Sequence, residues 1–131
     1  MAQVWLRLDT DFYHDPKVER LEAVTNGQGV FRWIKLCCIA HEGYGQIDTN
    51  DAAMLAHAER HTGLKGRRFS EFVDACAACG LFDPEQWGKG VITSNRMLLE
   101  GSRRLSSEQQ KAEAGRRSAE ARKRKKEDSG K

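Results

Sequence analysis

Four side chains in the middle of the chain have the types a metal would need. His57 and His61, in HAERH, are spaced so that both imidazoles fall on one helix face, and Cys76 and Cys79 form a CxxC pair. Structural zinc sites take their CxxC from a turn, however, whereas Cys76 and Cys79 continue an apolar helical stripe in which free Cys acts as a small hydrophobe. HAERH also differs from HExxH, because Glu59 stands one position late to serve as the general base of a metalloprotease. GYGQID reads as a turn and not as a phosphate-binding loop after a strand, and no carboxylate pair or nucleophile set has informative spacing. The expectation is a protein with no enzymatic activity, metal or cofactor.

The cations are more informative. Net charge over the 131 residues is +3, but residues 1–102 carry 11 Lys and Arg against 14 Asp and Glu, while residues 103–126 carry 10 against 3. A local charge of +7 attracts phosphate by releasing the counterions condensed on nucleic acid. The candidate phosphate contacts among these 10 cations are Arg103, Arg104, Lys111, Arg116, Arg117, Arg122, Lys123 and Arg124. Ahead of them, Lys65, Arg67, Arg68 and Ser70 stand at the start of an expected helix, and Lys89 stands in an expected turn. Glu71 and Asp74 share the outward face of that helix and oppose phosphate.

Which elements must position these groups? VWLRLD, residues 4–9, alternates apolar and polar side chains like a half-buried strand. Asp15-Pro16 then reads as N-cap and first residue of a short helix turning Val18, Leu21 and Val24 inward and stopping near Asn26-Gly27. From Gln28 to Glu42 apolar residues occupy so many angles that a central, buried helix is expected. GYGQID supplies a turn with a very short strand, TND caps a helix over roughly Asp51 to Arg60, and Thr62-Gly63 ends it.

A second helix follows from Lys65 to Cys79, with Phe69, Phe72, Val73, Cys76 and Cys79 on one buried face and Gly80 closing it. Two helices joined by a tight glycine-containing turn form a helix-turn-helix, whose second helix sets its first residues against base edges. Leu81-Phe82-Asp83 and Val91-Ile92-Thr93-Ser94 are then expected to pair as a hairpin, a wing with Lys89 at its tip and Trp87 packed on the sheet. The fold expected is α+β, mostly helical, a winged helix-turn-helix over residues 1–100 followed by a basic tail, helical or disordered, over residues 101–131. In that tail Leu98, Leu105, Ala112 and Ala119 fall seven apart, a thin seam for a homodimer interrupted by Gly101 and Gly115; the alternative is a basic arm along the phosphate backbone.

DTDFYHDPKVERL, GYGQIDTND, CGLFD with GVITSNRM, and AEAGRRSAEARKRKK, in that order, resemble the N-terminal domain of phage and prophage replication initiators of the DnaD-like replisome-organiser group. The resemblance implies a winged helix that binds origin or primosomal DNA and takes part in loading a replicative helicase. It places Arg67, Arg68 and Lys89 in the recognition helix and wing, and Arg116, Arg117 and Arg122 in the basic tail. The chain departs from the group in lacking the second domain that handles partner proteins and in a recognition helix with fewer bases. The expectation is a DNA-binding protein of phage or mobile-element origin acting in replication initiation, with double-stranded DNA and replication or other host proteins as partners. The alternatives are a phage transcriptional regulator on the same fold, and a small phage protein that binds and inhibits a host protein or nucleoprotein complex. With no secretory signal and no apolar run of membrane-spanning length, a cytoplasmic protein without membrane contact is expected.

Overall fold

In a computed structural model of the chain, residue 6, residues 8–25 and residues 27–129 are described, with side chains through residue 126. A 3₁₀ turn, Phe12–His14, leads to α1 (Pro16–Thr25), α2 (Gln28–Glu42), β1 (Gln46–Asp48), α3 (Ala52–Thr62), α4 (Arg67–Ala78), α5 (Pro84–Gly88), β2 (Val91–Thr93) and α6 (Asn95–Ser129). The chain is thus mostly helical, with one small sheet.

The helices start and stop where local chemistry dictates. The Asp51 carboxylate accepts from the backbone N–H groups of Ala53 and Met54 at 2.9 and 3.4 Å, satisfying donors that the first turn of α3 leaves open. Gly63 closes α3 in the left-handed region at φ 73°, a backbone conformation strained for residues with a side chain, and so turns the chain toward α4. Beyond α4 the Leu81 N–H reaches the Cys76 carbonyl and the Gly80 N–H that of Ala77, both at 3.0 Å, the paired bonds of a Schellman cap.

Phe69, Phe72, Val73, Cys76 and Cys79 all face the core from α4 and its C-terminus, as their spacing predicts. They meet Val18 and Leu21 of α1, Trp33, Leu36, Ile39 and Ala40 of α2, and Phe82. The strands add Ile47 and Ile92, which pair directly in the antiparallel register Gln46 to Thr93, Ile47 to Ile92 and Asp48 to Val91, both fully buried.

Four expectations are corrected. Of the strand expected over residues 4–9, residues 4, 5 and 7 lie outside the described residues, and Leu6, Leu8 and Asp9 belong to no strand. Leu81-Phe82-Asp83 forms no strand either: Asp83 accepts from Glu85 N and Gln86 N and so starts α5, while β2 pairs with β1 instead. The wing hairpin is therefore absent, and only one bond, Asp83 N–H to the Thr93 carbonyl at 2.8 Å, links its two expected halves. Val24 is 65% exposed, because the buried face of α1 runs through Val18 and Leu21 to half-buried Thr25, whose hydroxyl bonds the Leu21 carbonyl. Nor is α2 buried all round: Phe31 and Cys38, two turns apart, face solvent, with the Lys35 ammonium 4.5 Å from the Phe31 ring centre.

Candidate nucleic-acid interface

α4 begins at Arg67, and Lys65, Arg67, Arg68 and Ser70 are all exposed around that start. The turn before it is held by Glu59, whose carboxylate accepts the Gly66 N–H at 2.6 Å. Both acids of the outward face are engaged. Arg67 bonds Glu71 at 2.9 Å one turn later, and Asp74 accepts the Trp87 indole N–H at 2.6 Å. The second bond fastens α5 across α4, so half-buried Trp87 is a brace between two helices. The cations left to meet a ligand at this helix start are Lys65 and Arg68, with Arg67 shared with Glu71.

Lys89 occupies a different corner. It caps α5 and is exposed, but its carbonyl accepts from Asn50 Nδ2 at 2.9 Å and the Gly90 carbonyl accepts from the Thr49 N–H at 2.9 Å. These bonds tie the approach to β2 onto the residues leading into α3. Lys89 thus stands on a fixed corner beside the residues leading into α3.

α6 carries 11 of the 22 Lys and Arg residues. Ser94 starts it, its hydroxyl accepting the Met97 N–H at 3.2 Å and its carbonyl the Leu98 N–H at 2.9 Å. Four turns of α6 then pack along the C-terminus of α2. Gly101 lies against the Tyr44 carbonyl so closely that a Cβ there would overlap it, and a Cβ on Gly45 would overlap Met97 in return. The glycine that interrupts the heptad seam is thus a packing site.

Arg104 follows one turn on. Its Nη1 donates to the carbonyls of His41 and Glu42 at 2.6 and 3.1 Å, and its Nε to Glu108 at 3.1 Å. The two carbonyls close α2; that of His41 also accepts the Tyr44 N–H at 3.2 Å, and the guanidinium adds a charged donor to both and complements the helix dipole. Glu108 also accepts the Tyr44 hydroxyl at 2.6 Å, while Tyr44 holds a left-handed backbone at φ 61°. That bond, then the Arg104 charge, holds the Glu108 carboxyl below its ordinary value, while the same bond pushes the Tyr44 hydroxyl above its own against the opposing pull of Arg104. Among the sequence-derived cations, then, Arg104 is turned to the body. Tyr44 and Glu108 were not signalled by composition; the i,i+4 spacing of Arg104 and Glu108 was the available hint.

Past Glu108 every described side chain is exposed, including Lys111, Arg116, Arg117, Arg122, Lys123 and Arg124, as is Arg103 before it. Of these, Arg117 pairs with Glu113 at 2.7 Å. At 1.5 Å per residue the 35 residues of α6 extend about 52 Å, more than half of it clear of the body.

The side chains first weighed for zinc are placed differently. His57 and His61 stack edge to face at 4.5 Å on α3, and Cys76 is buried in the core. Burial pushes the Cys37 thiol up to about 12 and raises Cys76 as well, so neither is an accessible thiolate. Among the described residues no three His, Cys, Asp or Glu side chains converge, and no helix is long and apolar enough to cross a membrane.

No curated protein and no solved structure matches the chain. The family model described as Lin1244/Lin1753-like, N-terminal, matches residues 5–97, from before the 3₁₀ turn to the first turn of α6. The chain therefore belongs to the Lin1244/Lin1753-like N-terminal family.

Proposed function

We propose that the protein binds double-stranded DNA without catalysing a reaction, through α6 with the start of α4 in support, and acts in replication initiation of a phage or mobile element. The observation that carries this reading is the charge of +7 over residues 103–126, displayed on a helix whose root is fastened to the body while its cations past Glu108 stand in solvent. Such a surface gains affinity from phosphate neutralisation irrespective of sequence. The succession of α3, a tight turn and α4 supports a helix-turn-helix reading, in which α5 stands where the wing was expected and Lys65, Arg67, Arg68 and Ser70, at the start of the second helix, would meet base edges. The replication role is supported by the resemblance to replisome organisers; a transcriptional regulator would use the same surfaces.

A second reading, binding of a host protein, is favoured by one observation: Tyr13 and Phe31, 63% and 62% exposed, line a shallow depression on the acidic body. Recovery of partners from host lysate, with and without nuclease, tests the pair. Nuclease-sensitive recovery of DNA supports the first reading, and a nuclease-resistant protein bound through Tyr13 and Phe31 supports the second.

A further inference from the structure

We infer that α6 seats in the major groove of a DNA duplex and reaches phosphates on both strands, rather than lying along one backbone. The inference rests on the proposed DNA binding and concerns how the same helix is used.

The distribution of charge about the helix axis carries it. At 3.6 residues per turn, Arg116 and Lys123 form one row and Lys111 and Arg122 another, each aligned to within roughly 20°, and the two rows stand roughly 120° apart. Between them, from Lys111 to Arg124, lie only Ala112, Gly115 and Ala119, all exposed, and Lys126 enters the same sector just beyond. Glu113 and Glu120 fall outside this sector, beyond the Arg116 row, and Glu113 neutralises Arg117 there at 2.7 Å. A helix lying along one strand would need one basic row. Two rows flanking a sector that over residues 111–124 has neither bulk nor charge, and that only Lys126 enters at the tip, match a trough with a phosphate wall on each side.

The dimensions select the trough. An α-helix with side chains is about 10–12 Å across, and the major groove of B-DNA is about 12 Å wide, whereas the minor groove, about 6 Å, cannot admit it. Duplex RNA, with its deep, narrow major groove, is excluded on the same ground. The small side chains let the axis approach the groove floor while long Lys and Arg side chains on either flank reach outward.

The root of the helix fixes which sector is offered. Gly101, Glu108 and Gly115 fall seven apart, so the face that meets Tyr44 at Gly101 and Glu108 continues into the sector of Ala112, Gly115 and Ala119 beyond. With Arg104 holding α2, the rotation of α6 about its axis is set before DNA arrives.

The test uses the full chain and three double variants, each removing two exposed cations: Arg116→Ala with Lys123→Ala, Lys111→Ala with Arg122→Ala, and Arg117→Ala with Arg124→Ala. Binding to a random-sequence duplex is measured across salt concentrations, and again to a duplex carrying glucosylated hydroxymethylcytosine, which fills the major groove. Each flanking pair is expected to flatten the salt slope by about 1.8, two contacts at about 0.9 each, while the Arg117 and Arg124 pair leaves it unchanged. The glucosylated duplex is expected to lose binding. If the Arg117 and Arg124 pair matters as much as the flanks, if only one flank matters, or if the glucosylated duplex binds as well as the plain one, groove seating is overturned while DNA binding stands. If no pair changes the slope, or no duplex is bound, the role given to α6 in DNA binding fails and this inference with it.

Discussion

The guanidinium of Arg104 lies 4.5 Å from the ring centre of Tyr44 and from there reaches the last carbonyls of α2. One side chain thus stacks on a ring, closes one helix and roots another. Arg104→Ala should lower stability by about 2–3 kcal/mol, since it leaves two helix-end carbonyls and a carboxylate without their charged donor and loses the cation–π contact. Arg104→Lys should recover little, because a point charge cannot hold the fork of bonds and stack as well. Denaturant melts check both, and a melt of Arg104→Ala equal to wild type would show the root to be held by other contacts.

Gly101 and Gly115 make a matched pair. Helix propensity alone would let Ala stabilise either position by about 1 kcal/mol. At Gly115 nothing lies near a new Cβ, so Gly115→Ala should raise the helicity and the melting midpoint of α6. At Gly101 the Cβ meets the Tyr44 carbonyl, so the sign should reverse, with a loss of about 1–3 kcal/mol from forced displacement of α6. Circular dichroism of the two variants decides it, and equal gains would mean that α6 does not pack on Tyr44.

The Tyr44–Glu108 bond should give stability a dependence on pH at both ends. Glu108 titrates below its ordinary 4.5 in the folded chain, so its contribution is present above that pH and is lost as pH falls through the folded value. Tyr44 titrates above its ordinary 10, so its contribution is present below pH 10 and is lost as pH rises through the folded value. Between these limits Glu108→Gln should melt below wild type, and the gap should close in acid, where the protonated carboxyl is as neutral as the amide. A gap that does not vary with pH would remove Glu108 from the root.

Phe72, buried on α4 against the shared core, tests the scaffold itself. Phe72→Ala should cost about 3–5 kcal/mol, a large share of what a domain of this size has, so partial unfolding at ambient temperature is the expected result. An unchanged thermal melt would refute the placement of α4.

What the sequence made legible was local. α2 runs over the residues that its apolar content marked, Asp51 caps α3, and the spacing from Phe69 to Cys79 names the buried face of α4 correctly. What it hid was pairing at a distance. The capping chemistry of Asp83-Pro84 is the same as that of Asp15-Pro16, but a five-residue helix has no period to reveal it, and so a turn was expected there. Val91–Thr93 reads as a strand from its own residues, yet its partner lies more than 40 residues earlier, and no nearby segment specifies it. Arg104 has the type and the neighbours of a phosphate-binding residue; only the approach of α2, 62 and 63 residues before it, turns it inward.

The most direct test of the central claim is the salt dependence of duplex binding by the whole chain and by a chain ending at Gln110. That end point keeps Arg104, Glu108 and Tyr44 together, and residues 111–126, which it removes, are all exposed, so the body should melt as before. The account predicts weaker binding to any duplex and a salt slope flatter by about 0.9 for each phosphate contact removed. Unchanged affinity and an unchanged slope would contradict it, leaving α6 a solvated helix and the exposed surface around Tyr13 and Phe31 as the place to look for function.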